Sequence, residues 1–275
     1  MNPHSAQRTS PKSMVASLYR HHQLISQLVK REIVGRYKGS IMGLFWSFLN
    51  PIFMLAVYTF VFSYVFKSRW SGDQVTHGEF AIVAFAGLIV HGLFSEVLSR
   101  APRLILENGN YVKKVVFPLE VLIPVVAGNA LFHSLISVVV LLGAKVIMTG
   151  ALPWTCIFLP FVFIPLILIS IGTGWFMAAL GVFVRDLGQV VGVLVSVLMF
   201  LSPVFFPISA LPVHLQPLFL LNPLTFIIEQ AREVLIWGRQ PAWAGLSLYF
   251  LASLVFAWLG YAWFQKTRKG FADVL

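Results

Sequence analysis

The stretch KREIVGRYKGSIMGLFWSFLNP, residues 30–51, decides the fold. It opens with Lys30, Arg31, Arg36 and Lys38, then runs into apolar sequence with no charge from Ile41 until Lys67. A charged side chain costs about 2.5–3.5 kcal/mol at the centre of a membrane-spanning helix. The change of composition therefore marks a membrane surface, and the basic flank marks the side on which the N-terminus lies.

The rest of the composition agrees. The 275 residues are 58% hydrophobic and 11% charged, with a mean hydropathy of +0.84. Soluble domains carry about 25% charged residues, so this is an integral membrane protein. A formal charge of +10 suggests nucleic acid at first sight, but the basic residues flank apolar runs and form no single basic module. Cys156 is the only cysteine, which excludes an intrachain disulfide and a cysteine-based metal site. The opening MNPHSAQRTSPKS lacks the apolar core of a cleavable signal peptide, and residues 1–17 are expected to form a cytoplasmic tail.

Outward from the first stretch, residues 18–38 read as one amphipathic helix in the interface plane. Leu18, Leu24, Ile25, Leu28 and Val29 recur at helical spacing, with Arg20, Gln23, Gln27, Lys30 and Arg31 on the other face. Residues 39–275 read as one transmembrane domain. Its six expected spans are 41–66, 80–99, 119–147, 154–184, 187–206 and 243–264, each near or above the ~20 residues a crossing needs. Pro51 is expected to bend the first span, and Gly39 and Gly43, four apart, to permit close helix contact. Between the last two spans, Pro207, Pro212, Pro217, Pro223 and Pro241 break residues 207–241 into runs too short to cross. These are expected to lie at the surface or to re-enter it. The fold class is thus an all-α integral membrane protein: six transmembrane helices, an N-terminal interface helix and re-entrant helices before the last span.

Six crossings put both termini on one side. Of the 20 Lys and Arg residues, only Lys67, Arg69, Lys145, Arg232 and Arg239 fall on the opposite side, leaving fifteen with the termini. The positive-inside rule makes that side cytoplasmic.

The chain has no GxxxxGK[ST], HExxH or GxSxG, so neither P-loop ATP hydrolysis nor a zinc or serine hydrolase is encoded. Its seven histidines are scattered. Ionisable residues within spans are few: Glu96 lies near the cytoplasmic end of the second span and His91 and His133 lie deeper, and three separated groups make a weak case for a proton relay. Each histidine is expected to bond to a neighbouring helix. Aromatic residues are plentiful, and Trp46, Phe53 and Phe60 share one face of the first span. Such a face stacks on the C–H faces of sugars, although packing and interfacial belts also use aromatics.

Five blocks, in order, resemble one family. They are LVKREIVGRYKGSIMGLFWSFLNP, NYVKKVVFPLEVLIP, FVRDLGQVVGVLVSVLMFLSPVFFP, LNPLTFIIEQAREVL and the closing FQKTRKGFADVL. Together they resemble type-2 ABC exporter permeases that export polysaccharide. The resemblance implies a half-transporter, two copies of this chain with two copies of a separate cytoplasmic ABC ATPase in the bacterial inner membrane. This chain would bind no cofactor, ATP and Mg2+ belonging to the partner. It implies ATPase coupling at Asn108, Tyr111, Lys113 and Lys114 in a cytoplasmic helix over 107–118, and at Arg185 and Asp186. It also implies a periplasmic gate around Pro207, Pro212, Pro217 and Pro223. The first and fifth spans would face the path, with Gly188 and Gly192 allowing close approach. The implied substrate is a lipid-linked O-antigen or capsule chain, teichoic acid being a close variant. A drug or small-lipid exporter on the same scaffold is the alternative, and an intramembrane enzyme of glycan assembly a third class.

Overall fold

A computed structural model of the chain describes residues 9–62, 77–113 and 117–274. Among these residues every regular element is helical. The helices are α1 (Pro11–Arg20), α2 (His22–Arg36), α3 (Trp46–Phe60), α4 (His77–Glu107), α5 (Gly109–Lys113) and α6 (Leu122–Thr149). They continue with α7 (Leu159–Phe183), α8 (Leu187–Phe200), α9 (Gln216–Leu220), α10 (Pro223–Arg232), α11 (Trp243–Thr267) and α12 (Phe271–Val274).

Among the described residues, five stretches are long and apolar enough to cross a membrane: Gly43–Phe60, Glu79–Glu107, Leu119–Thr149, Trp154–Phe183 and Trp243–Gly270. α8 is not among them. Its 14 residues rise about 21 Å at 1.5 Å per residue, short of a ~30 Å hydrocarbon core. The expected fifth span, 187–206, thus ends its helix early, and turns occupy 201–206. Local and distant polar groups hold that ending: Ser202 Oγ donates to Leu198 O (2.6 Å), and Asn222 Nδ2 donates to Leu201 O (3.0 Å).

α4 is the centre of the bundle. Of its apolar window 78% is buried, against 17% for the α3 span. It packs on α3, α6, α7, α8 and α10, while α7 packs mainly on α11. Glycines set the closest approaches. A Cβ on Gly260 would lie 2.2 Å from Gly172 O, and one on Gly181 would lie 2.1 Å from Pro102 O. α4 runs on through Pro102 to Glu107, although the sequence suggested a stop near Arg100. A proline inside a spanning helix is tolerated where neighbours pack against it, and here α7 does so.

The amphipathic segment is two helices. α1 begins seven residues earlier than the expected 18–38 helix, at Pro11, where Ser10 Oγ accepts from Ser13 N (3.2 Å) and proline suits the first turn. The chain turns at His21, and α2 follows. The break lets α1 pack on the bundle: Met14 is buried, Ser17 Oγ donates to Glu120 Oε1 (2.9 Å), and Trp258 Nε1 donates to Thr9 O (2.8 Å). Gly39 (φ 87°) and Gly43 (φ 52°) use left-handed backbone in the turn from α2 to α3 and meet no neighbour. Their role is the turn, not helix packing.

Side-chain contacts fix the order of ends. Glu120, before α6, also accepts from Arg268 Nη1 after α11 (2.9 Å), so both chain ends lie at one end of the bundle. α8 runs antiparallel to α4. Gly188 lies against Arg103, His91 Nε2 meets Val195 O (3.3 Å), and Arg232 donates to both Val83 O and Val204 O.

Candidate functional site

Two segments implied for coupling lie at the end of the bundle that holds the termini. α4 passes into α5 at Asn108, whose Nδ2 donates to Leu104 O (2.8 Å) and whose carbonyl accepts from Tyr111 N (2.9 Å). This satisfies carbonyls that a helix end leaves open. Tyr111 stacks on Phe117, ring centroids 4.4 Å apart, and Phe117 O accepts from Arg268 Nη2 (2.9 Å). The corner is therefore braced by the C-terminal segment. α5 is described over Gly109–Lys113, within the expected 107–118 helix; Lys114 lies outside the described residues. Arg185 and Asp186 form the exposed turn between α7 and α8. Gly181 and Gly188 bring this turn against Pro102 and Arg103, just before the α5 corner. Gly192 meets no neighbour within the chain.

Trp46, Phe53 and Phe60 are all exposed on α3, and Val190, Val193, Val197 and Phe200 are exposed on α8. Large apolar side chains are also exposed on α11 (Leu248, Leu251, Leu259), so exposure alone does not separate a path from a lipid-facing wall.

At the other end, the four prolines start or interrupt short helices. Pro207 precedes a single 3-10 turn, Pro217 opens α9, Pro223 opens α10, and Pro212 lies in a turn. Asn222 caps α10, its Oδ1 accepting from Leu224 N (2.9 Å). Arg232, counted from sequence as an outer-loop cation, is wholly buried. Its Nε donates to Val83 O (3.1 Å), Nη2 to Val204 O (2.9 Å) and Nη1 to Glu229 Oε1 (2.9 Å). Burial pulls this guanidinium down to about 10 and Glu229 pulls it back up, so it stays charged at neutral pH. It ties α10 and the 201–206 turns to the first turns of α4.

The sequence reading missed a polar cavity. A space of about 340 Å3 lies between α3, α4 and α6, and Glu96, His91 and His133 all line it, together with Asn50, Tyr58, Ser134 and Ser137. His133 on α6 meets His91 and Glu96 of α4 around one space. His91 bonds to a neighbouring helix as expected, through Val195 O, and Ser95 Oγ lies 3.1 Å from its Nδ1. The buried Nε2 of His133 has no hydrogen-bond partner among the described residues. Beside the cavity, Glu96 Oε1 receives Arg36 (3.3 Å), Arg100 (3.7 Å) and Asn129 Nδ2 (3.2 Å), and Arg100 also pairs with Glu32. These pairs fasten α2 onto α4. The signal available in sequence was weak: polar residues at four-residue spacing within apolar runs.

The model of the ABC-2 type transporter family matches residues 23–236, most of the chain. The chain belongs to the ABC-2 type transporter family. As a member of that family it is also similar along nearly its full length to proteins named for polysaccharide export. An O-antigen export system permease protein, RfbA, of Myxococcus xanthus is 27% identical over 262 residues, 94% of this chain and 98% of that protein. A polysialic acid transport protein, KpsM, of Escherichia coli is 29% identical over 252 residues, 89% of this chain and 93% of that protein. A capsule polysaccharide export inner-membrane protein, CtrC, of Neisseria meningitidis serogroup B is 24% identical over 259 residues, 92% and 94% of the two chains. In this ABC-2 family member, α5, α8 and α10 all contact the central helix α4.

Proposed function

We propose that this chain is the transmembrane subunit of an ATP-driven exporter of a lipid-linked polysaccharide, of O-antigen or capsular type, in a bacterial inner membrane. The observation that carries the reading is similarity along nearly the whole chain to proteins named for export or transport of O-antigen, polysialic acid and capsule polysaccharide. A small-substrate exporter on the same scaffold would owe no such likeness to glycan carriers. ATP is bound and hydrolysed by a separate subunit, in keeping with the absence of a P-loop here. The working unit is two copies of this chain with two ATPase copies, the glycan passing between the permease copies.

The chain crosses six times, the fifth crossing being α8 completed by residues 201–206. The run of contacts from Gly188 beside Arg103 to Val204 beside Gly87 supports this. It follows α4 over the 16 residues from 103 to 87, about 24 Å at 1.5 Å per residue. Six crossings agree with both chain ends lying at one end of the bundle, and the basic flanks make that end cytoplasmic. ATP-driven closure of the partner pushes on Asn108, Tyr111, Lys113 and Lys114 and on the Arg185–Asp186 turn. The helices above carry the shift, because the partner's differential affinity for ATP in its two states supplies the energy. Trp46, Phe53 and Phe60 offer sugar-stacking faces along the path, and the segments begun by Pro207, Pro212, Pro217 and Pro223 form its outer gate.

Depletion of the chain in its host tests the reading. Lipid-linked glycan should accumulate on the cytoplasmic side while surface polysaccharide disappears. Normal surface polysaccharide on depletion would overturn it.

A further inference from the structure

The cavity between α3, α4 and α6 sits at the middle of three spans, where an unsatisfied polar group is expensive. Yet its wall holds more hydrogen-bonding capacity than the chain uses. Asn50, Tyr58 and Ser134 make no side-chain hydrogen bond with any described residue, and His133 Nε2 is buried without a partner. All three of Glu96's polar contacts fall on Oε1, which leaves Oε2 as an acceptor. Native proteins leave few buried polar groups unpaired, so the buried His133 Nε2, together with the unused donors and acceptors of half-buried Tyr58, buried Ser134 and exposed Asn50 on the same wall, signals a hydroxyl-bearing occupant or water.

The chemistry of the wall selects among occupants. An acyl chain would leave every one of these groups unpaired. A phosphate would meet the Glu96 carboxylate, while the nearby guanidiniums of Arg36 and Arg100 are already engaged by Glu96 and Glu32. A neutral sugar ring suits both halves of the wall: hydroxyls to Asn50, Tyr58, His133, Ser134 and Glu96, and C–H faces to Phe85 and Pro51. The volume, about 340 Å3, lies within the roughly 300–1,000 Å3 of small-molecule pockets.

We propose that this cavity is a sugar-binding subsite that holds one pyranose unit of the glycan on its way to or along the path. This rests on the glycan-export reading. The subsite adjoins the aromatic row: Asn50 lies one turn from both Trp46 and Phe53 on α3, while Met54 and Tyr58 continue its wall away from that row.

The test uses the complete transporter in its host. Asn50→Leu and Ser134→Val are each expected to lower surface polysaccharide about tenfold, the effect of one lost buried hydrogen bond, with normal amounts of chain in the membrane. Thr173→Val, a similar change on α7 away from the cavity, should export normally. A second measurement holds even if those variants misfold. In a Cys156→Ser background, Ser137→Cys is treated with a membrane-impermeant thiol reagent in cells with and without glycan synthesis. Labelling should be several-fold slower where glycan is made. Equal labelling in both cells, or none in either, would overturn the subsite. Full export by both cavity variants, in a host that needs the wild-type chain for surface polysaccharide, would also overturn it. If depletion of the wild-type chain leaves surface polysaccharide intact, the export reading itself falls.

Discussion

Two residues carry consequences that stability measurements can read directly. Gly181 faces the Pro102 carbonyl so closely that any Cβ would strike backbone, which cannot rotate away as a side chain can. Gly181→Ala should therefore destabilise the purified protein by about 1–3 kcal/mol, as overpacking does. Gly192→Ala, which meets nothing within the chain, should leave the thermal midpoint of the detergent-solubilised monomer unchanged. Arg232 satisfies two carbonyls and pairs with Glu229 from a fully buried position. Arg232→Met takes the donor away from the Val83 and Val204 carbonyls and should cost about 1–3 kcal/mol for each buried carbonyl left unpaired, Glu229 being partly exposed. Wild-type thermal stability in that variant would contradict the tie between α10 and α4. Nothing in the local sequence marks Arg232 as buried. Its burial follows from carbonyls at Val83 and Val204, contributed by distant parts of the chain.

Elements couple through a few identifiable seams. α2 is fastened to α4 by Glu32–Arg100 and Arg36–Glu96, and to α6 by Val29, whose Cγ2 would lie 2.7 Å from a Cβ on Gly128. Gly128→Leu should lift α2 from this seat. In a Cys156→Ser background, a short thiol crosslink between Glu32→Cys and Arg100→Cys should form readily, and Gly128→Leu should diminish it. An undiminished crosslink would show that α2 keeps its seat without the Val29–Gly128 contact, Arg36–Glu96 being the pair left in that background. The turn between α7 and α8 sets a second seam. Asp186→Lys should cut transport while the partner ATPase continues to turn over and the chain inserts normally. Parallel assays of surface glycan and ATP hydrolysis check this, and loss of insertion would instead assign Asp186 a folding role. The limits of sequence reading are visible at this scale. The 119–147 and 154–184 expectations fall within a few residues of Leu119–Thr149 and Trp154–Phe183, because each is one continuous apolar run bounded by Gly and Pro. α8 ends at Phe200, three residues before Pro203, a stop present in the local sequence, and Asn222 reaches back to Leu201 and Ser202 there. The helix break at His21 has no such local signal, and it accompanies the contacts of α1 with Glu120 and of Thr9 with Trp258.

The whole molecule is a bundle around α4 with its chain ends gathered at one face, an exposed aromatic row on α3 and a polar cavity within the same three spans. The aromatic row was legible as helical spacing. The cavity was not, because His133 meets His91 and Glu96 only through the packing of α3, α4 and α6. If the row serves a sliding glycan, Trp46→Ala and Phe53→Ala should shorten or reduce surface polysaccharide, and size analysis of the extracted polymer would detect either effect. Wild-type polymer in both variants would return those side chains to lipid contact. The central claim is ATP-driven movement of a lipid-linked glycan through this chain. It is tested most directly by reconstituting the purified chain with its co-purifying ATPase in vesicles loaded with the host's lipid-linked glycan. The account predicts ATP-dependent appearance of glycan on the opposite leaflet, detected by an impermeant glycan-modifying reagent. ATP hydrolysis that proceeds in intact vesicles with no glycan crossing would contradict it.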